Sequence, residues 1–318
     1  MITTVTLNPC VHKITSFAVP LRGPVVFPVK CRYQAGGKGI NVARAAKRLG
    51  APVRAISTSG GHVGGLLRDA LVAEGLVHQL VPVAAPTRMS TFIFSERTQE
   101  FREYLEPGEP LTPAERDTLL AAVLEASTDS DLLVLSGSSP CSLLDGFFAT
   151  VVEELKGAPC LVAVDTYGPP ARQVVAGTPP YLFKSNREEL ARSFNIDVRD
   201  PRELERFANA LLERGAQFVA VTDGDAAATL FGTNGRTVVW PPRIRELNPV
   251  GSGDALLGAM AVRLGSGSTP AEAFRYGVAA GAVNAQRLDV CALEPEAVGA
   301  LLAETHLRES PAATLPGR

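Results

Sequence analysis

An aspartate that follows a glycine-rich turn and opens an apolar helical run is the first candidate for chemistry in this sequence. Residues 248–260 read NPVGSGDALLGAM, and Asp254 comes directly after Gly251, Ser252 and Gly253. Glycines let backbone N–H groups approach a ligand, and the partial positive charge of a helix N-terminus attracts anions such as phosphate. Aspartate is also a common helix cap, so the local pattern leaves a catalytic acid and a simple cap both open.

A second glycine-rich stretch, AGGKGINVARAAKRLG (35–50), also leads into a helical pattern. It is not a Walker A loop, because GxxxxGK[ST] is absent from the chain. The absence of GxGxxG counts against a Rossmann dehydrogenase, and no GxSxG nucleophile elbow is present. Taken alone, GGKG indicates either a ligand contact or a tightly packed turn.

Composition excludes several classes of protein. The 318 residues carry a net charge of −2, which gives no reason to expect general affinity for nucleic acid or for anionic membranes. No apolar run approaches the roughly 20 residues that span a bilayer, and the N-terminus lacks a signal-peptide pattern. The cysteines and the four histidines form no CxxC pair or ligand cluster, which argues against structural zinc. Five cysteines, an odd number, fit reduced thiols in the cytoplasm.

The elements that must position these residues alternate between β-rich and helical patterns. Such alternation predicts an α/β fold with a mostly parallel sheet covered by helices, in which ligands bind beyond the carboxyl ends of the strands. The polar strand-end residues Ser136, Ser138, Asp165, Lys184, Asn186 and Asp223 should therefore gather along one edge. The predicted strands are 2–7, 53–60, 131–137, 160–166, 181–186 and 218–224, and the clearest helices are 40–50, 64–75, 144–157, 201–215 and 271–288.

Two segments break this alternation. Residues 15–35 are β-prone and punctuated by prolines, and residues 88–105 alternate like a two-stranded hairpin with ERTQE as the turn. We expect a small extra β-sheet, with lid segments at about 12–35 and 86–107, projecting from one domain of residues 1–308. The tail, 309–318, is expected to be disordered.

An ordered set of motifs carries a family resemblance over roughly residues 5–289. The set comprises GGKGINVAR, TR at 87–88, SGSSP at 136–140, KSNREEL at 184–190 and GSGD at 251–254. It resembles the PfkB (ribokinase-like) family of carbohydrate kinases. TLNP near the first strand and EPGEPLTPAE (106–115) resemble the 1-phosphofructokinase and tagatose-6-phosphate kinase branch. The resemblance implies a ribokinase-like fold, ATP and Mg²⁺, and a sugar phosphate as the small-molecule partner.

The resemblance assigns roles to the GSGD turn. Asp254 becomes the base that takes the proton from the sugar hydroxyl, and Gly251, Ser252 and Gly253 form the anion hole. Phosphoryl transfer depends mostly on positioning and on stabilising charge, which agrees with this arrangement. We expect the helix dipole to keep Asp254 ionised.

The same resemblance places a nucleotide site. Lys184, Asn186 and Glu189 match the family's KPNxxE element, which contacts ATP phosphates and, through water, Mg²⁺; Ser185 replaces the proline. Glu189 could instead be an ordinary acid in the first turn of a helix. Asp223 and Gly224 lie where the family strand meets the nucleotide, but TDGD departs from the usual SxG.

The sugar site is also carried over by resemblance. Arg88 would hold the phosphate already on the substrate by bidentate pairing, unless it is a solvated surface arginine. Asn41 would contact the sugar or serve as a helix cap. Lys38 and Arg44 would add positive potential or be solvated. The remaining positions matched to the sugar site are Gly36, Gly37, Ser138 and Asp165.

One position departs from the branch in a way that bears on the substrate. The branch usually reads NPxxD, and the aspartate accepts hydrogen bonds from sugar hydroxyls, whereas this chain reads NPCVH and has His12 there. A neutral imidazole offers one acceptor and one donor. We therefore expect a different hydroxyl pattern and weak activity on fructose 1-phosphate and fructose 6-phosphate. The alternative is that a neighbour such as Asp165 accepts the hydroxyls.

Three functions remain open at this point. The first is an ATP-dependent kinase of fructose 1-phosphate, fructose 6-phosphate or tagatose 6-phosphate. The second is a kinase of an unphosphorylated sugar or nucleoside, for which Arg88 would have no anion to hold. The third is a catalytically silent sugar-phosphate sensor, which the intact GSGD disfavours. The lid segments would expose apolar faces if left alone, so a homodimer through the lids is expected.

Overall fold

Apolar and β-branched runs form the strands of a large sheet, in a computed structural model that describes residues 1–18 and 25–311. Seven of its strands pair in parallel, which confirms the expected mostly parallel sheet. In sheet order these strands are β5 (Val77–Pro82), β4 (Val53–Ser59), β1 (Ile2–Thr6), β8 (Leu132–Ser136), β9 (Leu161–Asp165), β10 (Leu182–Asn186) and β11 (Phe218–Thr222).

Three antiparallel strands extend this sheet beyond β11. They are β12 (Ala228–Gly232), β13 (Gly235–Trp240) and β14 (His306–Pro311). β14 pairs with β13 from His306 to Pro311, so residues 309–311 of the expected disordered tail are ordered by ladder hydrogen bonds. That part of the prediction is wrong, and residues 312–318 lie outside the described residues.

Helices cover both faces of the sheet. Alternate residues of β8 point to opposite sides, so Leu133 and Leu135 pack in one apolar core and Leu132 and Val134 in the other. The helices are α1 (Lys38–Arg48), α2 (Gly61–Ala73), α3 (Pro113–Ser127), α4 (Phe147–Glu154), α5 (Pro169–Ala176), α6 (Arg187–Phe194), α7 (Pro201–Glu213), α8 (Ser252–Gly265), α9 (Pro270–Ala285) and α10 (Pro295–Glu304). In the described part of the chain, none of them has the length and apolarity of a membrane span.

The two irregular segments form a second, four-stranded sheet, as expected, which we call the lid. Its order is β3 (Lys30–Gly36), β2 (Cys10–Phe17), β6 (Arg88–Ser95) and β7 (Glu100–Leu105). Residues 19–24 of the first lid segment lie outside the described residues. Ile14 and Phe92 on its inner face pack against Ala255 of α8 and Ala279 of α9, which seats the lid over the N-terminus of α8.

Close packing of α1 on α8 brings the two glycine motifs together. A Cβ added to Gly258 would lie 2.7 Å from both the Ala45 Cβ and the Val42 carbonyl oxygen, so a glycine is needed at this crossing. The first turn of α1, which contains Lys38 and Gly39 of GGKG, is thereby held beside the first turn of α8.

Candidate active site

A cleft of about 1210 Å³ lies between the lid, the carboxyl edge of the large sheet and the start of α8. Fifteen of the residues singled out in the sequence line it, and four do not: Gly36, Arg44, Ser136 and Asp165. The fifteen are His12, Gly37, Lys38, Asn41, Arg88, Ser138, Lys184, Asn186, Glu189, Asp223, Gly224, Gly251, Ser252, Gly253 and Asp254.

Asp254 is held by Asn41 and does not cap its own helix. Gly251 is the N-cap of α8, in the left-handed region with φ 83°, and Asp254 lies in the first turn. Asn41 Nδ2 donates to Asp254 Oδ2 over 2.8 Å, and Arg44 Nη1 donates to Asn41 Oδ1 over 3.0 Å. The cap interpretation is therefore wrong for Asp254 and also for Asn41, since Gly37 precedes α1 as its N-cap.

Arg44 is buried, which corrects the view of it as a solvated helix charge. Its guanidinium pairs with Glu74 over 2.5 Å and also donates to the carbonyl oxygen of Val290 over 3.4 Å. A charged group is stable at such a site only when it is paired and hydrogen-bonded. Arg44 thus fixes the amide of Asn41, and with it the carboxyl group of Asp254.

The pKa of Asp254 is raised to about 7. Burial is the largest cause; Asp165 acts in the same direction, while Lys38, the hydrogen bond from Asn41, and Lys184 lower the pKa. The expectation that the helix dipole keeps this carboxylate fully ionised is therefore wrong, because desolvation outweighs it. A pKa near the working pH suits a general base.

An anion-binding corner lies next to this carboxyl group. Ser252 N donates to Pro249 O and Ala255 N donates to Gly251 O, whereas the first-turn N–H groups of Gly253 and Asp254 have no i−4 partner inside the helix. A Cβ on Gly253 would lie only 2.7 Å from Lys184 Nζ. Two N–H groups, the helix dipole and an ammonium group therefore converge where a phosphate would be stabilised.

Asp165 lies behind the cleft wall, paired with two lysines. Its Oδ2 is 2.7 Å from Lys184 Nζ and its Oδ1 is 3.4 Å from Lys38 Nζ. Burial opposes its charge, but the two ammonium groups outweigh burial and lower its pKa. We therefore withdraw the sugar-contacting role expected for Asp165, including its use as a substitute for the acid missing at His12.

Lys38 links this pair to the α6 terminus. Its Nζ lies 2.7 Å from Glu189 Oε1 and 5.2 Å from the centre of the Tyr167 ring. Burial works against its charge, yet Asp165, Glu189 and Asp254 together raise its pKa. Lys38 is therefore a paired cation on the cleft wall and not a solvated helix charge.

Asn186 and Glu189 form a capping box. Asn186 Oδ1 accepts from Glu189 N over 2.8 Å, and Glu189 Oε2 accepts from Asn186 N over 3.2 Å. Both residues also line the cleft. They can therefore cap the helix and face a ligand at the same time. Within residues 1–18 and 25–311, no group of three or more His, Cys, Asp or Glu side chains is arranged to hold a metal.

The far end of the cleft combines the predicted Asp223 and Gly224 with residues that the sequence motifs did not indicate. Asp223 pairs with Arg187 over 3.2 Å, and Gly224 turns with φ 55°. Small and apolar side chains also line this end of the cleft, and we call this group the shelf. In the sequence, the adjacent prolines Pro241 and Pro242 were the one sign that this segment could line the cleft. The shelf comprises Ala226, Ala228, Pro241, Pro242, Ile244, Val278, Ala282 and Ala285.

His12 lies at the other end, on β2. Its ring stacks on Phe92 with centroids 4.7 Å apart, and burial, followed by Arg44 and Arg88, lowers its pKa to about 3. Gly36 is packed so closely that any Cβ there would overlap the imidazole and the Cys10 thiol. The glycine at position 36 is thus required by packing against His12, whereas Gly37, with φ 110°, is the one on the cleft wall.

Arg88 is anchored at the lid end of the cleft. Its Nη1 donates to Glu106 O over 2.8 Å and its Nη2 to Asn8 O over 3.1 Å, so it is not a freely solvated arginine. Ser138 lines the same cleft, and Asn8 Nδ2 donates to Ser138 Oγ over 3.4 Å. Glu103 and Leu105 of β7 line the same end and had no motif to reveal them.

Known proteins resemble this chain in sequence and in structure. The family model described as pfkB family carbohydrate kinase matches residues 4–297. The chain is 29% identical to the 1-phosphofructokinase of Borreliella burgdorferi over 293 residues, covering 92% of this chain and 94% of that protein. It is 30% identical to the ATP-dependent 6-phosphofructokinase isozyme 2 of Mycobacterium tuberculosis over 282 residues, covering 88% and 83%. The structure of phosphofructokinase-2 from Escherichia coli in complex with potassium superimposes with a TM-score of 0.87 at 27% identity, covering 95% and 98%.

Proposed function

The chain belongs to the pfkB family of carbohydrate kinases, and from this premise we propose that it phosphorylates a hexose phosphate with ATP. The substrate class comprises fructose 1-phosphate, fructose 6-phosphate and tagatose 6-phosphate. One observation carries the proposal: a buried carboxyl group with a pKa of about 7, Asp254, lies beside an anion-binding corner that includes Lys184.

The arrangement supports one proton transfer and one phosphoryl transfer. A sugar hydroxyl at Asp254 gives up its proton to the carboxylate as its oxygen bonds to the terminal phosphorus of ATP. The bond from that phosphorus to the bridging oxygen breaks, and ADP leaves with the electron pair. The N–H groups of Gly253 and Asp254 and the ammonium of Lys184 stabilise the charge on the transferred group.

The far end of the cleft is proposed to hold ATP, with the adenine on the apolar shelf defined above. The phosphate end fits a magnesium ion bound mainly by phosphate and water oxygens, since Mg²⁺ keeps several waters and needs one or two carboxylates. Glu189, on the cleft wall, would contact it through water. When bound, Mg²⁺ neutralises part of the phosphate charge.

The function is tested with purified protein, ATP and Mg²⁺ by following ADP release over a panel of substrates. The panel contains the three sugar phosphates, the corresponding unphosphorylated sugars and several nucleosides. Turnover of a sugar phosphate supports the proposal. Turnover confined to an unphosphorylated sugar or nucleoside contradicts it, as does saturable binding of a sugar phosphate without turnover, which would indicate a sensor.

Arg88→Ala should raise the KM for the phosphosugar and leave the KM for ATP near its wild-type value. A hydrogen bond to a charged group contributes about 1.5–3 kcal/mol, which corresponds to roughly one to two decades in kcat/KM. Steady-state kinetics with each substrate varied in turn measure both constants. An equal loss toward ATP would place Arg88 at the nucleotide instead.

We also propose a homodimer formed through the lids. The outer side of the lid and the segment before β3 expose large apolar side chains, which a second copy would cover. These are Val25, Phe27, Val29, Tyr33 and Tyr104, and Phe27 is 83% exposed. Light scattering at micromolar protein should give twice the chain mass, and Phe27→Lys should shift it toward the monomer. A monomeric wild type under these conditions contradicts the proposal.

A cytoplasmic location completes the proposal. All five cysteines are free thiols, and ATP is a cytoplasmic substrate. Reduced thiols and access to ATP are both conditions of that compartment.

A further inference from the structure

The lid end of the cleft carries a carboxylate that the phosphoryl transfer described above does not use. We infer that Glu103, on lid strand β7, accepts hydrogen bonds from substrate hydroxyls in place of the acid missing at position 12. This inference rests on the proposed sugar-phosphate kinase activity and identifies the side chain that recognises the hydroxyls of its substrate.

Glu103 faces the cleft because of its place in the β7 alternation. Phe101, Glu103 and Leu105 share one face of the strand. Glu103 and Leu105 line the cleft, and Phe101 packs edge-on against Phe92 with ring centroids 5.3 Å apart. Glu100 lies on the opposite face, where it pairs with Arg102.

A serine on the neighbouring strand orients this carboxylate. Ser90 Oγ donates to Glu103 Oε1 over 2.7 Å, and Ser90 pairs in register with His12 between β6 and β2. An ionised carboxylate offers about four acceptor sites, and Ser90 occupies one of them. Glu103 thus stands next to the position where the acid is missing, with most of its acceptor capacity left for a ligand.

The β2 wall itself presents no anionic acceptor. His12 is neutral at physiological pH, and its buried Nε2 has no hydrogen-bond partner among the described residues. Burial raises the pKa of the adjacent Cys10 thiol to about 12, so the thiol stays protonated. Asp165 is occupied by Lys184 and Lys38. Asp165 and Glu103 are the two acids considered as substitutes for the one missing at position 12, and of these two Glu103 lines the cleft.

The opposite charges of Arg88 and Glu103 determine how a sugar phosphate is oriented at this end of the cleft. The guanidinium attracts a phosphate, while the carboxylate repels one and accepts hydroxyls. The favoured ligand is a polyhydroxylated sugar whose phosphate lies at Arg88 and whose hydroxyls lie at Glu103. Because Glu103 is on β7, the acceptor for the hydroxyls moves from lid strand β2, where position 12 lies, to the hairpin of β6 and β7.

The test compares Glu103→Gln with Glu100→Gln, which makes the same charge change on the outer face of the same strand. Glu103→Gln should raise the KM for the preferred sugar phosphate about 10- to 150-fold and leave the KM for ATP and the Tm near wild type. Glu100→Gln should leave all three unchanged. The double variant Glu103→Gln/His12→Asp should recover at least tenfold in kcat/KM, because it restores a carboxylate to the usual position.

Mono-deoxy analogues of the preferred sugar phosphate sharpen the test. One analogue should bind wild type more weakly than the parent sugar, yet bind Glu103→Gln as weakly as the parent does, because the contact is already lost. An unchanged KM in Glu103→Gln, with wild type active, overturns the inference and leaves the kinase assignment intact. Failure of wild type to phosphorylate any sugar phosphate overturns the proposed function itself.

Discussion

Asp254→Asn should lower kcat by about 10²–10⁴-fold while ATP binding stays near its wild-type level. The amide has nearly the same shape as the carboxyl group but cannot take the proton of the sugar hydroxyl. Asn41 and α8 remain in place, because the side-chain amide keeps an oxygen that can accept from Asn41. Single-turnover kinetics and equilibrium binding of ATP separate the two effects. The control is Glu296→Gln, an exposed acid in the first turn of α10.

The pH profile gives an independent check on the same residue. A base must be ionised to act, so wild-type kcat/KM for the sugar phosphate should fall as the pH drops through about 7, the pKa of Asp254. The Asp254→Asn variant should lose this acidic limb and show a flat residual rate. If the variant keeps near-normal kcat, Asp254 is merely part of a helix start and the mechanism fails.

Asp165→Ala should lower the free energy of unfolding by about 3–5 kcal/mol, the usual effect of removing one partner of a buried pair. Lys184 is only 2% exposed, so its ammonium would be left buried beside the cleft without its closest carboxylate. Lys38 would still pair with Glu189. Urea denaturation, with an unchanged m-value as the check on two-state behaviour, measures the loss.

A double variant separates the pair from the rest of the site. Asp165→Leu/Lys184→Met removes both charges and keeps apolar volume, so it should recover most of the stability lost in Asp165→Ala, although not the activity. If Asp165 contacted the sugar instead, Asp165→Ala would leave the free energy of unfolding nearly unchanged and would raise the KM for the phosphosugar.

The sequence pattern was sufficient to predict those strands and helix starts that depend only on neighbouring residues. The buried β-rich runs became β1, β4, β8, β9, β10 and β11, and the alternating segment at 88–105 became the hairpin of β6 and β7. The glycine turn before Asp254 predicted the start of α8. Glycine tolerates the positive φ that Gly251 adopts, and the apolar run that follows is typical of a buried helix.

Features that depend on long-range contacts could not be predicted in this way. Asp165 follows a strand like any ligand-facing acid, and only the tertiary fold shows two lysines enclosing it. The pKa of Asp254 depends on burial, which no residue near it in the sequence reports. Glu103 belongs to no motif, since it reaches the cleft only through the pairing of β6 with β7.

The strand order of the large sheet affects how the chain folds during its synthesis. β1 is an interior strand, third from the β5 edge, and its Ile2 pairs with both Val53 and Leu132. Both edges of this earliest strand are therefore paired only after β8 has been synthesised. The outer edge of β13 is the last of these edges to be paired, because its partner is residues 306–311. An unpaired edge is a template for another strand. A nascent chain on the ribosome therefore presents this edge to neighbouring chains until Pro311 has emerged.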